Sequence, residues 1–254
     1  MTAAHPGDLI AVDRLVVRYA NGRLALDGAS LAVAPGEFVA MLGANGSGKS
    51  TLLRCIAGMI RPNAGTVHVA GKEMSRLSGR ALAEARLALG MVFQDARLVR
   101  RRSVLANVLA GTLGRNRTLA TAFGALPRRE EALALACLDE VGLRELAPQR
   151  AGTLSGGQAQ RVSIARALAQ RPGSLLADEP VASLDPEASE EVMRLLRRVA
   201  HEDGLAVLCV LHQPALARRY ADRILGLRDG RCAFDEMPAR VGECAVASLY
   251  EAAA

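Results

Sequence analysis

The stretch "EFVAMLGANGSGKST", Glu37 to Thr51, decides how this chain is read. Its first part, Glu37–Leu42, is a short and nearly continuous apolar run, the pattern of a strand buried on both faces. Its second part satisfies G-x-x-x-x-G-K-[ST] in full from Gly43 to Ser50, and "KSTLLRCIAG" reads as a helix ending at Gly58, with Pro62 shortly after. Strand, glycine loop and helix in that order are the context in which this motif holds nucleotide phosphates. The glycines at 43, 46 and 48 let the backbone approach phosphate oxygens. Lys49 is placed to pair with the β- and γ-phosphates, and the Ser50 hydroxyl to ligand Mg²⁺. Lys49 and Lys72 are the only lysines; every other cation apart from histidine is arginine. A slim ammonium fits beneath a phosphate chain where a guanidinium fork is too wide. The competing explanation is a chance lysine in a glycine loop.

The remaining chain sets the frame. At 254 residues it is long enough for one large domain or two small ones. Half of the residues are apolar, yet no run approaches the roughly 18 needed to span a bilayer. The opening "MTAAHPGDLIAVDRL" has no charged n-region followed by an apolar h-region, so a cytosolic protein, or one held on the cytosolic side by a partner, is expected. Five cysteines without metal-ligand spacing read as reduced packing residues. A net charge of +6 admits nucleic acid or a membrane surface, but aromatics are only 3% and offer no stacking platform, so nucleic acid is discounted.

"LIAVDRLVVRY" alternates as a strand; "TVHVAG", "LGMVF", "SLLAD", "AVLCVL" and "RILGL" read as further strands. Between Ser103 and Val141 the pattern turns helical, with Leu133, Cys137, Leu138 and Val141 on one face. Another helix is expected from about Gln158 to Gln170. A third carries Val192, Leu195, Leu196 and Val199 in register. Strands alternating with helices predict an α/β fold, a mostly parallel sheet wrapped by helices, with a helical insert at roughly 95–165. The tail after Gly242 is small and apolar and receives no task.

Two further stretches carry chemistry. "SLLADEP" ends a buried strand in acids, which places Asp178 at the sheet's C-terminal edge beside the phosphate-holding helix. There Asp178 is expected to orient Mg²⁺ through a bound water, while Glu179, pointing the other way, is able to polarise an attacking water. An acidic turn capping a helix, supported by Pro180, is the plainer alternative. "TLSGGQAQR", Thr153–Arg161, sets a hydroxyl and two glycines before a helix, a second place where backbone N–H groups can meet an anion. A helix N-cap at Ser155 is physically sound too, but by this reading leaves the paired glycines and Gln158 unexplained.

These parts resemble the ATP-binding-cassette ATPases over about residues 8–240, with "LSGGQ" at Leu154–Gln158 similar to that family's signature. The resemblance implies a P-loop ATPase fold of the ABC type: a parallel-sheet core, an N-terminal antiparallel β portion and an inserted helical subdomain, spanning 8–242 with a short tail at 243–254. It implies two copies packed head to tail, each signature (Ser155, Gly156, Gly157, Gln158) closing on ATP held by the other's loop, in which Gly43, Asn45, Gly46, Ser47, Gly48, Lys49, Ser50 and Thr51 bind the nucleotide. Tyr19 is similar to the aromatic that stacks on adenine, though in isolation it is a strand-end tyrosine. Gln94 resembles the glutamine that meets Mg²⁺ and the attacking water, so the implied metal set is Ser50, Gln94 and Asp178. Asp185 in "SLD" belongs to the loop between the two sites, and His212 resembles the switch histidine that contacts the γ-phosphate and Glu179. Alone, such a histidine is more often structural. Ala159 departs from the family, where many members carry a second glutamine; that side chain faces away from phosphate, so little loss is expected.

The implied function is the ATP-hydrolysing subunit of a transporter, peripheral on the cytoplasmic face of the inner membrane, with integral membrane permease subunits and, indirectly, an extracytoplasmic solute-binding protein as partners. "LVRRRSVLANVLAGTLGR", "ADEPVASLDPE" and "LHQPALARRYADRILGLRDGR" look closest to the phosphonate-uptake ATPases. Phosphate, phosphite or another small solute, or a soluble non-transport switch, are the alternatives. Arg97–Arg102 either faces the permease or is a solvated charged face.

Overall fold

The computed structural model describes residues 7–116 and 127–251. Two sheets carry the fold. The first is antiparallel, in the order β2 (Leu24–Val33), β1 (Ile10–Arg18), β4 (Ala64–Val69), β5 (Lys72–Glu73). The second has the order β10 (Arg231–Glu236), β9 (Arg223–Arg228), β3 (Phe38–Leu42), β8 (Ala206–Val210), β7 (Ser174–Asp178), β6 (Leu89–Val92). From β9 to β6 all neighbours are parallel, and only the edge strand β10 runs against them. The helices are α1 (Lys49–Ile56), α2 (Gly79–Ala85), α3 (Val104–Leu109), α4 (Arg128–Glu140), α5 (Gly156–Leu168), α6 (Pro186–His201), α7 (Pro214–Tyr220) and α8 (Glu243–Ser248).

The continuous apolar runs are strands with two buried faces. In β3, Phe38, Ala40 and Leu42 enter one core with the large helices, whereas Val39 and Met41 enter another with β1, β2 and α1. Likewise β8 sends Val207 and Cys209 to the first core and Ala206, Leu208 and Val210 to the second. The first core also takes in Val104, Val108, Ala134, Leu138, Val162 and Ile164, so the helical insert shares its apolar interior with the sheet. Helix α5 is the common wall: Val162, Ser163, Ile164 and Ala165 are fully buried.

Several boundaries differ from the sequence reading. The signature helix begins at Gly156 rather than about Gln158, because Ser155 caps it, and ends at Leu168. Helix α1 stops at Ile56; Gly58 takes φ +65 and its N–H bonds to Cys55 O, closing the last turn. Alternation in β1 breaks where Asp13 and Arg14 both face solvent, with Arg14 at φ +43 and a shift in register. β2 and β10 lay hidden in sequence because their polar residues and bulges blur the period. The tail, given no task from sequence, has a packing role: Val246 and Leu249 of the α8 region join the first core. Parts of three readings fall outside the described residues, namely the N-terminal residues 1–6, residues 117–126 of the helical stretch and residues 252–254 of the tail.

Candidate functional site

Parallel strands bring chemistry to one edge because all their C-terminal ends face the same way. β3 runs into Gly43, β7 ends in Asp178 followed by Glu179, β8 leads through Leu211 to His212, and β6 leads through Phe93 to Gln94. The register holds these ends level: Met41 pairs Val210, Val210 pairs Asp178, and Ala177 pairs Val92.

The glycine loop could not be built from other residues. A Cβ on Gly43 would sit 2.3 Å from Leu227 O, and one on Gly48 would sit 2.5 Å from Ala25 O, with Gly48 at φ +108. Gly48 is the N-cap of α1 and supplies no side-chain cap, so the first-turn amides of α1 are left for another acceptor at the positive end of the helix dipole. Lys49 is buried, and its Nζ donates to Gly43 O at 2.8 Å and Ala44 O at 2.9 Å. Burial lowers its pKa, while Glu179 and Asp178 pull it back up. Ser47 Oγ is buried without a hydrogen-bond partner in the same loop.

A cavity of about 440 Å³ opens over this loop, lined by Tyr19, Arg23, Asn45, Lys49, Ser50 and Glu179 among others. Tyr19 is held at its rim by a 3.0 Å hydrogen bond between its hydroxyl and Thr51 Oγ1. Its ring thereby stays available to an apolar or aromatic ligand face. Asp178 lies just behind. Ser50 Oγ and Asp178 Oδ1 are 3.5 Å apart, and the Asp178 carboxyl is pushed up by burial and by Glu179 next to it. A hydroxyl and a carboxylate side by side, beside a second carboxylate, form an oxygen-only donor set that suits Mg²⁺. Among the described residues no three His, Cys, Asp or Glu side chains form a metal cluster. Gln94 sits exposed at the end of β6 and is not part of the cavity lining.

Glu179 has φ +53, a left-handed backbone that a β-region strand does not continue into. The turn directs its carboxylate toward the cavity, and His212 Nε2 lies 2.6 Å from Glu179 Oε1. The carboxylate therefore has an orienting partner and faces the glycine loop, the geometry a general base needs.

Ser155–Gln158 and Asp185 form a separate group, none of them lining that cavity. Here the sequence reading requires a correction. Ser155 Oγ accepts from Gln158 N at 3.2 Å and Gln158 Oε1 accepts from Ser155 N at 3.0 Å, a capping box, so helix capping does account for Gln158. Packing accounts for the glycines: a Cβ on Gly157 would lie 2.7 Å from Ala188 Cβ, and one on Gly156 3.2 Å from Leu184 Cδ2. Asp185 caps α6 by accepting from Ala188 N at 2.8 Å.

Residues that sequence reasoning missed tie the group to the rest. Buried Gln160 donates from Nε2 to Phe93 O at 2.9 Å, next to Gln94, and Arg161 reaches Val141 O and Glu191. Arg166 clasps Ala96 O and Arg97 O, each at 2.8 Å. The three lie on different faces of the helix, so no periodic signal in the sequence marked them.

Comparison with known proteins gives a consistent picture. The family described as ABC transporter matches residues 26–182. The phosphonates import ATP-binding protein PhnC 3 of Nostoc sp. is 48% identical, covering 95% of this chain and 92% of its own. The phosphite import ATP-binding protein PxtA of Stutzerimonas stutzeri is 46% identical, covering 95% and 87%. Among solved structures, the dimeric post-hydrolysis state of the ATP-binding cassette MJ0796 bound to ADP and Pi matches with a TM-score of 0.79 and 34% identity over 90% of this chain and 98% of that one.

Proposed function

The chain belongs to the ABC transporter family and is an ATPase of it, and from that premise we propose that it powers import of a phosphonate or a related phosphorus oxyanion through separate permease subunits. The observation that carries the catalytic part is Glu179, turned by its left-handed backbone into the P-loop cavity and held 2.6 Å from His212. The names of the relatives at 48% and 46% identity support the cargo class.

In this reading ATP lies with its ring on Tyr19 and its phosphates on Asn45–Thr51. Ser50 and Asp178, with Gln94 from the end of β6, would hold Mg²⁺, which would supply positive charge to offset that of the phosphate chain. The Glu179 carboxylate takes a proton from a water that attacks the γ-phosphorus, and the bond to the β-phosphate oxygen breaks to leave ADP. His212 donates to Glu179 and keeps that carboxylate aimed. Two copies pack head to tail, with Ser155–Gln158 and Asp185 of each facing the other's nucleotide. The γ-phosphate bridges the two chains, so its loss removes the differential binding that holds the closed state.

Among the described residues no helix is long and apolar enough to cross a membrane; in this reading the permease is a separate chain on whose cytoplasmic side this one sits. A groove lined by Met59, Met91, Phe93, Arg97, Arg166 and Gln170 supports a docking place for it. Arg97 stacks over Phe93 at 3.9 Å there, and Gly152 N and Ala151 N bond back to Arg100 O and Arg102 O. The backbone of the arginine run is thus bonded to the segment before the signature, while Arg100, Arg101 and Arg102 are exposed, open either to a permease or to solvent.

The test is Glu179→Gln. It is expected to bind ATP, stall as a dimer and lose at least 100-fold in turnover, within the usual range for a lost general base. Native turnover, or a monomer with ATP, overturns the reading. Growth of a deletion strain on phosphonate, phosphite or phosphate as sole phosphorus source separates the cargoes.

A further inference from the structure

The nucleotide cavity has a second cation besides Lys49, supplied by a hairpin that the motif does not include. The turn between β1 and β2 is tightly closed. Tyr19 N bonds to Arg23 O and Gly22 N to Tyr19 O, each at 2.9 Å, while Arg23 N bonds to Asn21 Oδ1 at 3.1 Å. Tyr19 and Arg23 are therefore a backbone-bonded pair, and both side chains line the cavity over the glycine loop. Nη2 of Arg23 donates to Gly46 O at 3.2 Å, which sets the guanidinium on the loop itself.

The two cations differ in how their charge is met. Lys49 is buried, donates to two loop carbonyls and lies in the field of Glu179 and Asp178. Arg23 is exposed, and among the described residues no carboxylate pairs with it. Of its five N–H donors one is given to Gly46, leaving a planar fork suited to phosphate oxygens. A free anion-binding fork at the lip of a phosphate site is what an exposed, unpaired arginine offers.

We propose that Arg23 is a nucleotide-binding residue that contacts the phosphate chain of ATP, so that one hairpin meets the ring through Tyr19 and the phosphates through Arg23. This rests on the reading of the cavity as an ATP site. It makes the hairpin a discriminator between nucleoside polyphosphates and monophosphates. Tyr19 serves both, and Arg23 adds affinity only where a longer phosphate chain reaches it.

The experiment is calorimetric titration of the full chain with ATP, ADP and AMP in the presence of Mg²⁺, for the native protein, Arg23→Ala, Arg23→Gln and Arg23→Lys. Arg23→Gln retains a donor for Gly46 O without the charge. Both neutral variants are expected to lose about tenfold in ATP affinity, equal to about 1.4 kcal/mol, and less than twofold in AMP affinity, with Arg23→Lys recovering part. Unchanged ATP affinity overturns the proposal. So does an equal loss for AMP and ATP, which would assign Arg23 to holding the turn, or normal binding with failed dimerisation, which would assign it to an interface. Lys49→Ala separates the two levels: if it too leaves ATP binding intact, the ATP reading of the cavity fails, not Arg23 alone.

Discussion

The molecule holds two glycine-rich helix starts, and they are built on opposite plans. At Gly43–Thr51 the helix is entered through a left-handed glycine with no side-chain cap. Its first-turn amides have no side-chain acceptor, and beside them Lys49 donates to two loop carbonyls. At Ser155–Gln158 the helix is entered through an extended serine, and a capping box satisfies the backbone amides of Ser155 and Gln158 within the chain. There the glycines serve close approach to Leu184 and Ala188. The first start leaves first-turn amides without a side-chain acceptor, which fits the proposed phosphate site. The other satisfies two of its amides within its own chain and fits the proposed role of closing on a partner's nucleotide.

Substitution can break this contrast, and the largest effect belongs to the P-loop. Gly48→Ala forces a Cβ into Ala25 O at φ +108. ATP affinity in the monomer is expected to fall by more than 100-fold, measured by calorimetry, since a shifted loop loses several amide contacts together. Gly157→Ala, by contrast, is expected to leave monomer ATP affinity within twofold while turnover falls at least tenfold. Equal loss of ATP binding in both variants would erase the distinction.

A second substitution sharpens it. Ala188→Gly opens the space that the Gly157 methyl would enter. If Gly157→Ala with Ala188→Gly regains turnover, the glycine is there for packing against α6; if not, it is there for a phosphate of the partner. The helix cost of glycine, about 1 kcal/mol, is controlled by Ala188→Gly alone.

Ser155→Ala removes one arm of the capping box. It is expected to cost about 1 kcal/mol and lower Tm by about 2–4 °C, read by calorimetric melting. Gly48 has no side-chain cap to lose, so no equivalent exists at the P-loop. The smallest effect lies away from both starts. The Glu140 carboxyl, at the end of α4, is pushed up to about 7 by burial and by Asp203, opposed by Arg198. Its native form holds a proton that the unfolded chain releases near its ordinary value, so stability falls as pH rises from about 4.5 to 7. Glu140→Gln is expected to flatten that decline, with a gain of about 1 kcal/mol at pH 8 and none at pH 4, followed by Tm against pH.

Much of this was legible in the chain. Motif order together with apolar runs of strand length determined a P-loop α/β fold, because a glycine loop between a buried strand and a helix permits few other arrangements. Local chemistry also marked Asp178 and Glu179, which end an apolar run whose parallel direction carries them to the C-terminal edge, whereas His212 was marked only by the family resemblance. The sequence likewise bounded the membrane question, since no run is long enough to span.

Only the tertiary structure decided the rest. No local pattern showed that Glu179 takes φ +53 to meet His212, since a strained turn is held by its surroundings and not by its own preference. The packing role of Gly156 and Gly157 depended on where α6 starts in space. Arg23 lies apart from the P-loop in the chain, in a hairpin whose second strand is hidden by polar residues, and only folding lays its guanidinium on Gly46. Periodicity and motif spacing report what a residue's neighbours in sequence require; approach between distant segments is fixed by packing, which a linear pattern does not encode.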